Sequence, residues 1–98
     1  MKEKNGEKNR EVVASFFEEA LLADGFDHCI LGVAEGFSFS EPVVIYDKEL
    51  ILNTLGDSMS SDEAVEYYHF NILGSYVGEK TPIYMTTIED LADDEHRD

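Results

Sequence analysis

The sequence predicts an α+β protein in which a small, mainly antiparallel three-stranded sheet has helices packed on one face. Three observations lead to this prediction. Apolar residues recur at helical spacing near the N-terminus, short runs rich in β-branched residues follow, and a helix-capping pattern begins at Ser60. The predicted order is α-β-β-α-α-β. It forms one domain over residues 9–92, between a flexible basic arm (1–8) and an acidic tail (93–98).

The first helix is predicted over residues 9–23, because its apolar side chains fall on one helical face. Those side chains are Val12, Val13, Phe16, Phe17, Ala20 and Leu21. Gly25 suits the left-handed residue that ends such a helix. The apolar run 28–34 then predicts a strand, and residues 43–46 predict a second strand that begins after Pro42.

The second half of the chain predicts two helices and a last strand. Asp47 is a suitable N-cap for a short helix over residues 48–55. Ser60 and Glu63 have the spacing of a capping box, in which each side chain binds the other residue's backbone N–H, and this helix is expected to end at Gly74. Residues 83–85 predict the third strand, and residues 87–91 predict one final helical turn.

Charge is the most unusual property of the chain. It has 22 acidic and 7 basic residues, a formal charge of −15; residues 1–10 carry +2 and the rest carry −17. Such a surface repels phosphate groups, so neither nucleic acid nor an anionic membrane is expected to bind directly. A basic protein surface is the favoured partner. A purely solubilising role for the acids stays open.

Several kinds of chemistry lack support in the sequence. Cys29 is the only cysteine, so no internal disulfide can form, and a cytoplasmic location is expected. No apolar run approaches membrane-spanning length, and residues 1–8 lack the apolar core of a secretion signal, so neither feature is expected. His28, His69 and His96 lack the spacing of metal ligands, and no phosphate-binding glycine motif is present. No metal, cofactor or catalytic residue is therefore predicted.

A pattern over roughly residues 43–85 resembles one in small acidic proteins of phage and bacterial genomes that have no assigned activity. The matching segments are Ile45–Asp47, Met59–Ser60, Glu63–Tyr68, Phe70–Ile72, Gly74–Glu79 and Thr81–Pro82. The resemblance implies an origin but no mechanism. Some small acidic phage proteins inhibit nucleases by imitating DNA. The link between those inhibitors and this chain is an analogy of size and charge, without a shared motif.

The leading hypothesis is a non-enzymatic, phage-type acidic protein that inhibits or modulates a basic, nucleic-acid-binding protein. If it covers the phosphate-binding cleft of that partner, it acts by DNA mimicry. Six residues are the candidate partner contacts: Glu63, Glu66, Tyr76, Asp93, Asp94 and Glu95. Tyr76 lies between glycines and is the candidate anchor, because tyrosines are frequent at the centre of interfaces. The alternative that Tyr76 only covers the edge of the core stays open.

Two further hypotheses come from other classes of protein. Glu63, Glu66, Tyr67 and Asn71 have the spacing of one helix face, where Glu63, Glu66 and Asn71 could serve a small enzyme in acid–base catalysis. Capping and solvated roles for the same residues are the alternative. The third hypothesis is a structural or assembly protein that forms a homodimer through an exposed apolar patch.

Overall fold

The computed structural model describes residues 2–37 and 41–95, with side chains over 8–37 and 41–93. It confirms the α+β class and the order α-β-β-α-α-β, with the predicted final turn extended into a fourth helix. The helices are α1 (Lys2–Phe16), α2 (Lys48–Leu55), α3 (Ser61–Tyr67) and α4 (Ile88–Glu95); the strands are β1 (Ile30–Ala34), β2 (Val43–Asp47) and β3 (Ile83–Met85). A short 3₁₀-helix (Asp27–Cys29) precedes β1, and a π-helix (Tyr68–Leu73) continues α3.

The sheet is mixed, so the prediction of a mainly antiparallel sheet is only partly right. β2 is the central strand; it pairs with β1 antiparallel and with β3 parallel. The pairing is parallel because the helical segment between Asp47 and Ile83 returns the chain to the end of the sheet at which β2 starts, so that β3 runs in the same direction. A bulge between Ile30 and Gly32 interrupts the β1–β2 register.

The core lies between one face of the sheet and the helices, as predicted. Ile30 pairs with Tyr46 and Tyr46 with Tyr84, so these three side chains share a face. Tyr46 is fully buried and stacks on Tyr84 with ring centres 5.8 Å apart, while Tyr68 meets Tyr84 edge-on at 5.8 Å. Such aromatic pairs add about 0.5–1.5 kcal/mol each beyond the area they bury.

The bounds of α1 differ from the predicted 9–23. The helix includes residues 2–8, which were predicted as a flexible arm, because lysine and glutamate favour helical backbone even without an apolar stripe. It ends at Phe16 because tertiary bonds hold the following segment in another conformation. Ala23 N–H donates to the Tyr46 hydroxyl at 2.6 Å, and Arg10 pairs with Asp27 at 2.8 Å. Gly25 has the expected positive φ of +89°, but it lies in a turn rather than at a helix end.

The first strand is shorter than predicted, since His28 and Cys29 belong to the 3₁₀-helix. Cys29 is fully buried. The Thr54 hydroxyl lies beside Cys29 and donates its one hydrogen to the Leu50 carbonyl at 2.8 Å. The Thr54 oxygen must therefore accept the hydrogen bond from His28 Nε2, at 2.7 Å. These bonds fix the turn that leads into β1 against α2.

No helix within residues 2–37 and 41–95 combines the length and the apolar character needed to cross a bilayer.

Candidate functional site

A capping box fixes the start of α3, as the sequence predicts. Ser60 Oγ accepts from the Glu63 N–H at 3.2 Å, and Ser60 N–H donates to Glu63 Oε1 at 2.9 Å. The bond from the Ser60 backbone is the main reason that the pKa of Glu63 lies below its ordinary value. Glu63 is therefore ionised at neutral pH, and its carboxylate is held in place at the N-terminus of the helix.

The π-helix determines how the next residues are presented. Gly74 N–H donates to the His69 carbonyl, five residues earlier, at 3.1 Å. The helix ends at Gly74 as predicted, and a Cβ at this position would lie 2.9 Å from the His69 oxygen. Short π-helical segments are frequent at functional sites. Here the segment supplies Phe70, whose side chain is 77% exposed, and Asn71.

A groove runs along this helix, and we call it the acid-rimmed groove. Its volume is about 540 Å³, and it is lined by Met59, Glu63, Glu66, Tyr67, Phe70 and Asn71. The structure thus brings together Glu63, Glu66 and Asn71, the three residues of the enzyme hypothesis. Sequence reasoning missed Met59 and Phe70; the spacing of Phe70 from Glu66 and Tyr67, four and three residues, was a signal that could have found it.

The chemistry of this groove suits binding better than proton transfer. Glu63, Glu66 and Asn71 are all exposed. The Glu63 carboxylate is engaged in the capping box, and its lowered pKa makes it a weak base and a poor proton donor at neutral pH. Among the described residues, no cation lies within ion-pair distance of Glu63 or Glu66.

The cations nearest the core of the fold have other partners. Arg10 binds Asp24 and Asp27, and Lys80 Nζ lies 3.0 Å from Glu19 and 3.3 Å from Glu41. Lys48 lies over the ring of Tyr68, with Nζ 5.5 Å from its centre. The carboxylates of the acid-rimmed groove therefore present negative charge that these cations do not neutralise.

A second cavity, the apolar cleft, has a volume of about 360 Å³ and shares Asn71 with the groove. It is formed by residues of the segment after α1, the π-helix, the loop before β3, and β3 itself. Sequence reasoning did not identify it, because it combines residues that are distant along the chain. Ser75 and Val77 line it, whereas Tyr76 between them is 77% exposed and lines neither cavity.

The remaining predicted contacts lie elsewhere. Asp93 is exposed on α4 and lines neither cavity. Asp94 and Glu95 also belong to α4, so the predicted tail begins as a helix, and their side chains lie outside the described residues, as do residues 96–98 altogether. The first turn of α4 is acidic, with Glu89 and Asp90, and Ile88 at its start is exposed.

Within the described ranges, no group of three or more His, Cys, Asp or Glu side chains has a metal-binding arrangement. No protein-family model, curated protein or solved structure matches the chain. The resemblance to small phage and bacterial proteins therefore stays a prediction.

Proposed function

We propose that this chain is a non-enzymatic binding protein whose acid-rimmed groove docks on a basic surface of a protein partner. One observation carries the proposal: Glu63 and Glu66, without cationic partners among the described residues, lie in one groove with the exposed ring of Phe70. Carboxylates attract lysine and arginine side chains, and an aromatic ring offers them both apolar contact and a cation–π interaction.

The net charge supports the same kind of partner. A charge of −15 on 98 residues attracts basic surfaces and repels phosphate. We infer that the partner binds nucleic acid and that this protein modulates it by covering the phosphate-binding site. At physiological ionic strength, exposed charges are screened beyond about 8 Å, so the attraction mainly speeds encounter. Two exposed aromatic side chains, Phe70 in the groove and Tyr76 in the loop that follows the π-helix, then slow dissociation.

A pair of charge-matched variants tests this proposal. Glu63→Gln with Glu66→Gln removes two charges from the groove and retains the capping box, since glutamine can replace glutamate in it. Glu11→Gln with Glu18→Gln removes the same charge from exposed positions outside the groove. Proteins captured from cells by the native chain and by the control pair, but not by the groove pair, are the expected partners.

The captured partner must then behave as the proposal requires. We expect it to be basic, to associate more slowly as salt rises, and to be displaced by nucleic acid. Charge reversal at Asp93, Asp94 and Glu95 measures any second acidic contact on α4. An acidic partner, or one that binds the groove pair and the native chain equally, contradicts the proposal.

Homodimer assembly is a second candidate, favoured by one observation. Val12 and Phe16, four residues apart on α1, are 46% and 76% exposed and so form part of an uncovered apolar stripe. A molar mass in solution that rises toward twice 11.1 kDa with concentration supports it. The small-enzyme hypothesis has less support, because Glu63 is already engaged in capping.

A further inference from the structure

The apolar cleft is not used by the proposed function, and its volume is that of a small-molecule site. Its volume of about 360 Å³ falls in the range of about 300–1,000 Å³ that is usual for such sites. Six apolar residues form most of its wall: Leu21, Leu22, Ala23, Ile72, Val77 and Pro82. A ligand that displaces water from this wall would gain the free energy of apolar burial.

The floor of the cleft is held in place by the core. Tyr84 lines the cleft while its ring stacks on Tyr46 and meets Tyr68 edge-on. Tyr46 also accepts a hydrogen bond from the Ala23 N–H at 2.6 Å, which ties the wall to the same cluster. The cleft is therefore formed before any ligand arrives, and binding does not have to order its floor.

Three polar residues are among those that line this otherwise apolar space: Asn71, Ser75 and Tyr84. None of them forms a side-chain hydrogen bond with another residue in the part of the chain that the structure describes. Burial raises the pKa of Tyr84, so its hydroxyl keeps its proton at neutral pH. Amide and hydroxyl groups both donate and accept, and they are the polar groups that orient ligands in apolar sites.

None of the described residues that line the cleft carries a formal charge, although 29 of the 98 residues of the chain are acidic or basic. A charged ligand would lose hydration on entering and meet no opposite charge, which is costly in an apolar site. An uncharged ligand avoids this loss. The contrast with the adjacent acid-rimmed groove, which attracts cations, indicates that the two cavities select different chemistry.

We propose that the apolar cleft binds an uncharged small molecule that has an apolar body and one group able to donate and accept hydrogen bonds, such as an amide, a phenol or an alcohol. The apolar body packs against Ile72 and Pro82, and its polar group reaches Asn71, Ser75 or Tyr84. This site is independent of the proposed docking function, because Asn71 alone among the described residues lines both cavities.

Titration of the full chain with benzamide, followed by amide NMR, tests the proposal. We expect saturable shifts at Asn71, Ser75 and Val77 with a dissociation constant of about 1 mM, the usual scale for a ligand of this size. Benzoate and benzylammonium have similar shape but carry charge, and each is expected to bind the cleft, as measured at Ser75 and Val77, roughly 10-fold more weakly or not at all. A second neutral probe, p-cresol, is expected to shift the same amides.

Three variants separate the cleft from the groove. Tyr84→Phe keeps the ring and removes the hydroxyl, so benzamide affinity is expected to fall by roughly 3- to 10-fold. Ala23→Leu places a larger side chain in the wall and is expected to abolish the saturable shifts. Glu63→Gln with Glu66→Gln is expected to leave benzamide binding unchanged, whatever it does to partner binding. The dispersion of the amide spectrum shows that each variant is folded.

Three results would overturn the proposal. They are the absence of saturable shifts with both benzamide and p-cresol, equal affinity for benzoate and benzamide, and shifts that lie along the groove instead of the cleft. None of these results bears on capture of a basic partner by the groove, so failure of this inference and failure of the proposed function are distinguishable.

Discussion

Replacing Gly74 by alanine tests whether the π-helix depends on a residue without a side chain. Gly74 has φ −78°, which alanine adopts freely, so the substitution introduces no left-handed backbone. The added Cβ would lie 2.9 Å from the His69 oxygen and 3.4 Å from the Phe70 oxygen. The first distance is too short for a carbon–oxygen contact, so the His69 carbonyl must move or the end of the helix must open.

The expected loss of stability follows from three terms. Relieving an overpacked contact costs about 1–3 kcal/mol, and weakening the Gly74 N–H bond to the His69 oxygen, 3.1 Å long, costs about 0.5–1.5 kcal/mol if the carbonyl moves away. Removing a glycine from the unfolded chain offsets about 0.4–1 kcal/mol. We expect a net decrease of about 2 kcal/mol in the free energy of unfolding, within limits of about 0.5 and 4 kcal/mol set by the three terms.

Gly56→Ala is the matched control. Gly56 also follows a helix and has φ −64°, but its added Cβ would lie 3.4 Å from the nearest oxygens, those of Leu52 and Asn53. Its stability is expected to be unchanged or slightly higher. Urea denaturation followed by circular dichroism compares the two variants. If Gly74→Ala is as stable as Gly56→Ala, the close approach does not constrain the π-helix and our reasoning is wrong.

Two further predictions concern hydrogen bonds within the fold. Ser60→Ala is expected to cost about 1 kcal/mol in urea denaturation at neutral pH, whereas Glu63→Gln keeps the reciprocal bond and costs less. Because the pKa of Glu63 is lowered in the folded protein, its ionised side chain stabilises the fold at neutral pH, and this stabilisation is lost as the pH falls below 4.5. If the native chain and the Glu63→Gln variant lose stability equally in acid, this prediction is wrong. Burial raises the pKa of Tyr46 to about 12. The stabilisation that protonated Tyr46 gives the fold is therefore complete below pH 10 and is lost between about pH 10 and 12. Tyr46→Phe removes the acceptor of the Ala23 N–H and is expected to cost about 1–3 kcal/mol in the free energy of unfolding below pH 10. Above pH 10 the variant is expected to lose less stability than the native chain does. Urea denaturation on either side of pH 10 measures this difference.

Local chemistry explains which parts of the fold could be predicted. The capping box at Ser60, the N-cap at Asp47 and the strand at Val43 depend on neighbours within four residues, and the structure confirms all three. The end of α1 at Phe16 depends instead on bonds between residues 17 to 23 positions apart, which a local pattern does not contain. The parallel direction of β3 depends on the path of the long helical connection for the same reason.

The candidate site was predictable to the same extent. Glu63, Glu66 and Asn71 were identified because all three lie on one helix. Phe70 could have been identified in the same way, because it lies four residues after Glu66 and three after Tyr67, the spacing of neighbours on one helix face. The apolar cleft was missed because Leu21 and Tyr84 are far apart in sequence and meet only in the folded chain.

The parallel pairing of β3 with β2 has a consequence for when each cavity exists. The acid-rimmed groove is built from residues 59–71, a local segment that can form with its helix, whereas the apolar cleft also needs β3 in place. Non-local parallel pairing closes a long loop and is slow to form. Because β3 has only three residues and lies at the edge of the sheet, fewer contacts hold it than hold the central strand, and it opens more readily. Opening of β3 would therefore remove the cleft and leave the groove. A ligand bound in the cleft would in turn stabilise the pairing of β3 with β2, which is the last part of the sheet to form.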